Sequence, residues 1–387
     1  MGQAMQKTVV VLGGGIGGLV AANELRKALP RQHRVVLVDR APAHLFLPSL
    51  LWVMTGRREI PAISRPLSRL QRKGIEVVTA EVERIDPATR EVVAGGQRLT
   101  ADFLLLALGA DLAPEAVPGL SEAGFNLYSP EGVLGLRQAM RSFAGGRLVL
   151  LTAAPAYKCP AAPYEAALLL EAECRRRGLR ERTDIALYAA EPGPMGVAGP
   201  EVSRAVRQMV EGRGIAYHPQ HQVTAVGVPE RRLSFANGLS ADFDLLAYVP
   251  PHRAPRVVQE AGLVGDGGWV AVDRHRMETR FPGVYAIGDV VSIPLALGKP
   301  LPKAGVFAEG QARVAARNIA TAILGGGEGS RFDGHGECFI EAGDGRAGVG
   351  RGDFYAEPLP TVQVRPPARR WHLSKVLFEK YWLWRWF

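Results

Sequence analysis

The run Gly13-Gly14-Gly15-Ile16-Gly17-Gly18 constrains this chain more than any other segment. It follows a short apolar stretch, residues 7–12 (KTVVVL). It precedes residues 19–29, whose apolar positions repeat at helical spacing. Residues 34–39 (RVVLVD) then read as a second buried strand. Strand, glycine loop, helix and strand follow one another within about 30 residues, which is a βαβ unit. In that setting G-x-G-x-x-G is a dinucleotide-binding fingerprint, whereas an isolated glycine-rich turn would say little. Gly13 permits the tight turn, Gly15 lets a pyrophosphate approach the backbone, and Gly18 lets the helix pack close to the strand. The helix N-terminus offers free N–H groups to phosphate. Asp39, at the end of the second strand, is placed to accept hydrogen bonds from ribose hydroxyls.

The pattern recurs. Residues 147–152 (RLVLLT) open a second βαβ unit, with a helix predicted over 164–177 and a strand over 184–189. Residues 241–248 repeat the pattern of residues 101–107: Ala-Asp-Phe and then a buried apolar strand. Residues 75–80 and 90–93 read as a small antiparallel element. A helix is predicted over 305–323, and residues 325–330 (GGGEGS) read as a flexible linker. A chain of 387 residues is long enough for about two domains. The expected fold class is α/β, with two Rossmann-type dinucleotide-binding domains in tandem plus a C-terminal membrane-associating region. The first domain takes residues 1–114 and 271–325, the second 115–270, and the C-terminal region 326–387.

Two further segments narrow the nucleotide. Residues 104–109 (LLLALG), ending at Gly109, resemble the second motif of flavin-binding domains, with Leu108 where Thr is usual. Residues 279–289 (TRFPGVYAIGD), ending at Gly288-Asp289, resemble the third. That resemblance implies FAD in the first domain, with Asp289 on the ribityl chain; taken alone, Asp289 would read as a turn aspartate. Nearly the whole chain resembles the two-dinucleotide-domain, disulfide-reductase-like flavoproteins.

The loop of the second unit departs from that pattern. Residues 153–163 (AAPAYKCPAAP) contain no glycine, and Pro155, Pro160 and Pro163 lack the N–H groups that cradle a pyrophosphate. Glu191 stands where a ribose-binding acid belongs, but without the loop it reads as a relic or a surface acid. NADH binding is therefore expected to be lost. Cys159 occupies the place of the missing glycines. Residues 159–165 (CPAAPYE) resemble the central motif of sulfide:quinone oxidoreductases and of the flavoprotein subunit of flavocytochrome c sulfide dehydrogenases. Residues 332–343 (FDGHGECFIEAG) place Cys338 and Phe339 at that family's other redox cysteine. Residues 301–311 (LPKAGVFAEGQ) place Lys303 beside the flavin ring.

The resemblance implies an FAD-dependent enzyme that oxidises sulfide to sulfane sulfur or polysulfide and passes the electrons to quinone. It makes Cys159 the sulfur carrier and Cys338 the flavin-facing sulfur; Phe339 and Tyr381 are the candidate quinone-site residues. Residues 125–133 (FNLYSPEGV) hold no cysteine, so the FAD is expected to be non-covalent. The alternatives are an NADH:quinone oxidoreductase-like flavoprotein and a flavocytochrome c-type sulfide dehydrogenase subunit. Cys174 reads as a mid-helix bystander. Glu165 stabilises a helix start or relays protons, and the role of His252 is open.

The last 17 residues (WHLSKVLFEKYWLWRWF) hold four of the six Trp. Leu373, Leu377, Tyr381 and Trp384 share one helical face, and His372, Lys375 and Glu379 lie opposite. Trp382 and Trp386 stray toward the polar side. Trp and Tyr favour the headgroup region of a bilayer, and the net charge of +9 favours anionic surfaces. No run of about 20 uncharged apolar residues is present. The expectation is a peripheral protein on the cytoplasmic face of the cell membrane, held by this helix, with homo-oligomer formation left open. The basic residues are scattered without a nucleic-acid-binding module, and the eight His lack ligand spacing. Neither nucleic acid nor metal is expected.

Overall fold

The computed structural model describes residues 5–387. Five parallel strands form the first sheet, in the order Val284–Ala286, Phe103–Leu106, Thr8–Leu12, Arg34–Asp39, Glu76–Thr79. Thr8–Leu12 lies in the middle, and Val9 to Leu12 are fully buried. Burial of both its faces explains why this strand is an unbroken apolar run rather than an alternating one. The chain leaves it to one side for Arg34–Asp39 and reaches Phe103–Leu106 on the other. The glycine loop therefore sits at a topological switch point, the crevice where α/β sheets bind ligands. Helix Ile16–Ala28 covers the sheet and packs against Gly305–Leu324.

The second sheet repeats the plan with strands Phe125–Asn126, Leu245–Val249, Gly146–Thr152, Thr183–Ala189 and Ala216–His218, again all parallel. Helix Ala162–Arg176 follows Gly146–Thr152. Two tandem Rossmann-type sheets are thus present, as the doubled sequence pattern implied. One detail differs. Glu76–Thr79 is the edge strand of the first parallel sheet. Its expected partner near residues 90–93 instead joins an antiparallel trio, Val82–Asp86, Glu91–Ala94 and Gln97–Thr100. Both segments are short with mixed polarity, so periodicity could not assign their partners.

The C-terminal region is a three-stranded antiparallel sheet, His335–Glu341, Ala347–Asp353 and Thr361–Ala368, followed by helix Arg369–Arg385. That helix lays its charged side on the protein. Lys375, Glu379, Trp382, Leu383 and Trp386 are buried. Glu379 accepts from Ser49 Oγ (2.6 Å) and from Arg58 Nε (2.9 Å). Trp382 stacks on His44 at 4.9 Å between ring centroids. Leu377 and Trp384 on the opposite side are 60% and 73% exposed. Two tryptophans therefore serve the protein's own core while the outer face stays apolar. Among the described residues, no helix is long and apolar enough to cross a membrane.

Candidate functional site

The glycines of the first loop divide by what surrounds them. Gly13 adopts φ +102°, and a Cβ there would lie 2.3 Å from the Ala107 carbonyl oxygen. A Cβ on Gly18 would lie 1.7 Å from the carbonyl oxygen of Gly13. At Gly15 a Cβ would meet nothing within 4 Å. The first two are required by packing; the third leaves an open approach to the helix N-terminus. Asp39 accepts from the backbone N–H of Gly14 and of Ala41, at 2.5 and 2.7 Å, which orients its carboxylate along the loop. His44 Nδ1 lies 2.8 Å from the Gly14 carbonyl oxygen, and burial pushes this imidazole down to about 4. A neutral ring donating from Nδ1 then props the loop from beneath.

Gly109 and Asp289 lie just past the ends of Phe103–Leu106, which adjoins the central strand, and of Val284–Ala286, the next strand out. Gly109 has φ +73° and open space at its Cβ position. The backbone N–H of Gly288 donates to Gln311 Oε1 (2.7 Å). Burial raises the Asp289 carboxyl above its ordinary range, opposed by Lys158 and Lys303. Lys303 donates from Nζ to the backbone oxygens of Asp289 (2.7 Å) and Val291 (2.8 Å) and sits 3.5 Å from the Trp269 ring centroid. Burial lowers its ammonium to about 8, with Asp289 opposing. The structure thus brings Asp289 and Lys303 together beside the open end of the glycine loop's sheet.

Lys303 also leads to the cysteines. The Cys159 N–H donates to the Lys303 carbonyl oxygen at 2.6 Å. Cys159 itself lies in the left-handed region at φ +49°, uncommon for a residue with a Cβ and typical of functional sites. Tyr128 clamps the same turn, donating its hydroxyl to the carbonyl oxygens of Lys158 (2.7 Å) and Cys159 (3.0 Å). His252 meets the Tyr128 ring edge-on at 5.6 Å, and burial followed by Lys158 pushes its imidazole down to about 3, so it is neutral. Cys338 lies in strand His335–Glu341, which packs on helix Ala162–Arg176, the helix that follows the Cys159 loop, and is tied to it by the Glu341 N–H donating to Glu165 Oε1 (2.7 Å). Burial first, then Cys338 and Glu165, holds the Cys159 thiol far above its ordinary value; burial and Glu165 push Cys338 up to about 11. Both sulfurs are free, as is Cys174, which is buried in helix Ala162–Arg176 apart from them.

A buried ion pair underlies the two sulfurs. Glu165 Oε1 accepts from Lys375 Nζ (2.7 Å) and from the Glu341 backbone N–H (2.7 Å). Glu341, wholly buried, pairs with His372 Nδ1 at 3.0 Å. Burial works against the Lys375 charge, but Glu165 and Glu341 outweigh it and hold the ammonium above its ordinary value. The sequence pattern put His372, Lys375 and Glu379 on the polar side of the last helix, opposite the apolar face; the fold turns that polar side onto the protein. Phe339 adjoins Cys338 in the same strand, whereas Tyr381 stands on the outward face of the helix and accepts from Arg385.

Glu191 corrects an expectation. It is neither a relic nor a surface acid. Thr152 Oγ1 donates to its Oε2 (2.7 Å), while the hydroxyls of Tyr157 (2.5 Å) and Tyr164 (2.8 Å) donate to its Oε1. Three hydroxyls from the strand, loop and helix of the second unit converge on the carboxylate that a ribose would need. The signal was present as two Tyr in the glycine-free loop and helix start, but their convergence needs the fold.

Residues 7–317 match the family described as pyridine nucleotide-disulphide oxidoreductase. The chain belongs to that family. It is 29% identical to a sulfide-quinone reductase of Aquifex aeolicus, over 98% of this chain and 91% of that protein. It is 24% identical to a mitochondrial sulfide:quinone oxidoreductase of Mus musculus, over 91% and 79%. The crystal structure of the Aquifex aeolicus sulfide:quinone oxidoreductase superposes with a TM-score of 0.89 at 27% identity, covering 98% of this chain and 91% of that one. The resemblance read from the sequence motifs is borne out across the chain, C-terminal region included.

Proposed function

We propose that this protein is a sulfide:quinone oxidoreductase that binds FAD non-covalently and works at a membrane surface. The observation that supports the reading is that the elements carrying Cys159 and Cys338 are packed together. Cys159 sits in the loop tied to Lys303, and the strand of Cys338 is tied through the Glu341 N–H to Glu165 on the helix after that loop, where Lys375 also binds. The residues around the glycine loop fit FAD: Gly15 leaves room for a pyrophosphate, and the Asp289 carboxylate forms no hydrogen bond among the described residues. Bound there, the flavin supplies the two-electron acceptor and donor.

The cysteines supply the sulfur chemistry. With the two free thiols first oxidised to a Cys159–Cys338 disulfide, their two electrons passing to the bound flavin and their protons to solvent, hydrosulfide attacking that disulfide would break the S–S bond, form a new S–S bond on Cys159 and free Cys338 as a thiolate. Lys375 is the cation opposing the burial and carboxylate effects that keep both thiols protonated, so it stabilises that thiolate. Lys303 and Trp269 hold the loop that positions Cys159. Phe339 and Tyr381 are the quinone-side residues, Phe339 beside the sulfur and Tyr381 toward the bilayer. The outward face of the last helix supplies the peripheral attachment, with Leu373, Leu377 and Trp384 inserted among headgroups. Residues 1–114 with 271–325 form the FAD domain, 115–270 the second domain, and 326–387 the membrane-facing cap.

Anaerobic titration with sulfide tests the reading. Flavin absorbance should bleach, and a short-chain quinone should restore it. A flavin that stays oxidised in excess sulfide overturns the assignment. NADH should leave the absorbance unchanged, because Glu191 is engaged by Thr152, Tyr157 and Tyr164.

A further inference from the structure

Beside the last turn of the terminal helix is a groove of about 500 Å³ that none of the chemistry above uses. Its lining includes Arg26 and Lys27 from helix Ile16–Ala28, Arg31, Lys73, and Arg385 with Trp384. The acid among its lining residues, Glu24, is paired to Arg313 at 3.0 Å. The cations have neutral partners. Arg26 donates to the carbonyl oxygens of His33, Leu29 and Pro30, and Arg31 to that of Lys73. Lys73 Nζ donates to Asn23 Oδ1 (2.9 Å) and the Arg385 carbonyl oxygen (3.3 Å), while Arg385 donates to the Tyr381 hydroxyl. Burial and the neighbouring Arg385 charge lower the Lys73 ammonium, and burial and Arg31 lower the Arg26 guanidinium. Like charges are crowded here, and among the described residues none of these cations is paired with a carboxylate, Glu24 being engaged by Arg313. Trp384, 73% exposed, joins the groove to the apolar outer face of the helix.

We propose that this groove binds the phosphate headgroup of an anionic phospholipid at the membrane surface, with Lys27, Arg31, Lys73 and Arg385 as the cationic contacts. The proposal rests on the membrane-surface reading given above and deepens it. A phosphodiester would accept hydrogen bonds from the ammonium and guanidinium groups, and its acyl chains would leave along Trp384 toward the face made by Leu377 and Tyr381. The position explains why the uncompensated charge lies at this end of the helix: Trp indoles settle at headgroup depth, where lipid phosphate is found.

Cosedimentation of the flavin-loaded protein with vesicles tests this. One set is phosphatidylcholine alone, the other phosphatidylcholine doped with phosphatidylglycerol. The wild type should bind both and favour the doped set. Lys73→Gln/Arg385→Gln should weaken binding to the doped set about 25-fold, about five-fold for each charge, and leave binding to the undoped set unchanged. Lys27→Gln/Arg31→Gln removes more exposed groups and should give the same loss with an unaltered melting temperature. Arg84→Gln/Arg204→Gln, an equal charge loss elsewhere, should cost less than about two-fold. Inorganic phosphate should displace the protein from doped vesicles no better than chloride at equal ionic strength. Equal binding of wild type to both vesicle sets overturns the groove and leaves membrane attachment standing. An equal loss in the remote variant overturns it in favour of diffuse charge, and specific displacement by phosphate overturns it in favour of a free-anion site. Binding to neither vesicle set overturns the membrane reading and the proposal together.

Discussion

The two Rossmann-type units begin alike and diverge within a few residues of their first strand. After Thr8–Leu12 come glycines that keep side chains out of the crevice; after Gly146–Thr152 come prolines, tyrosines and a cysteine that fill it. In the first, the acid at the end of the next strand is held only by two backbone N–H groups. In the second, the corresponding acid takes three side-chain hydroxyls. One scaffold thus presents a receptive crevice and a self-occupied one. The second crevice is put to other use: its loop carries Cys159, and its helix carries Glu165 to the same place.

The largest expected effect breaks the first unit. Gly18→Ala puts a methyl 1.7 Å from a backbone oxygen that cannot retreat, so the protein should be isolated colourless and with a strongly lowered melting temperature. Gly15→Ala sharpens the point. Its methyl meets nothing within 4 Å, so the melting temperature of flavin-stripped protein should stay within a degree or two while flavin affinity falls at least about ten-fold. Absorbance and thermal melts read both.

Next comes the new occupant of the second loop. Cys159→Ser and Cys338→Ser should each abolish sulfide-driven flavin reduction with cofactor content near wild type. Cys174→Ser, in the interior of helix Ala162–Arg176, should retain activity within about two-fold and lose at most about 1–2 kcal/mol of stability. Full turnover by either of the first two variants would break the view that the second crevice was refitted for sulfur.

Opening the second crevice should have a moderate effect. Glu191→Ala leaves three hydroxyls without their acceptor and should cost about 1–3 kcal/mol, seen as a lower denaturant midpoint. NADH should still fail to bleach the flavin, because Pro155, Pro160 and Pro163 remain. Bleaching by NADH in this variant would show that the carboxylate's partners alone closed the site.

The smallest effect concerns the ion pair beneath the sulfurs. Glu165 raises both thiols, so Glu165→Gln removes a negative neighbour and should lower them, Cys338 from about 11 by roughly one unit. Thiol alkylation measured against pH should show its midpoint moving down. A midpoint that moves up would reverse the assigned sign.

Much of this was legible along the chain. The glycine spacing at 13, 15 and 18, the buried strands beside it and the doubled unit follow from local rules: a tight turn, a close helix–strand contact and a period of apolar residues leave few alternatives. Residues 75–80 were misplaced, since Glu76–Thr79 joins the parallel sheet rather than the antiparallel element of Glu91–Ala94, because so short a strand of mixed polarity does not choose its partner. Glu191 was misread for a related cause, since its three donors lie 27 to 39 residues away in the chain.

The terminal helix shows the division most sharply. Its sequence determined two faces, Leu373, Leu377, Tyr381 and Trp384 on one and His372, Lys375 and Glu379 on the other, because 3.6 residues per turn sorts side chains without reference to anything outside the helix. Which face turns inward was decided only by the tertiary structure. Glu165, Glu341, Ser49 and Arg58 wait beneath the helix, and a buried charge is tolerable only where an opposite charge or a hydrogen-bond donor meets it. Those partners come from three distant segments, so the charged face went in, the apolar face stayed out, and Lys375 reached Glu165 on the helix that follows the Cys159 loop.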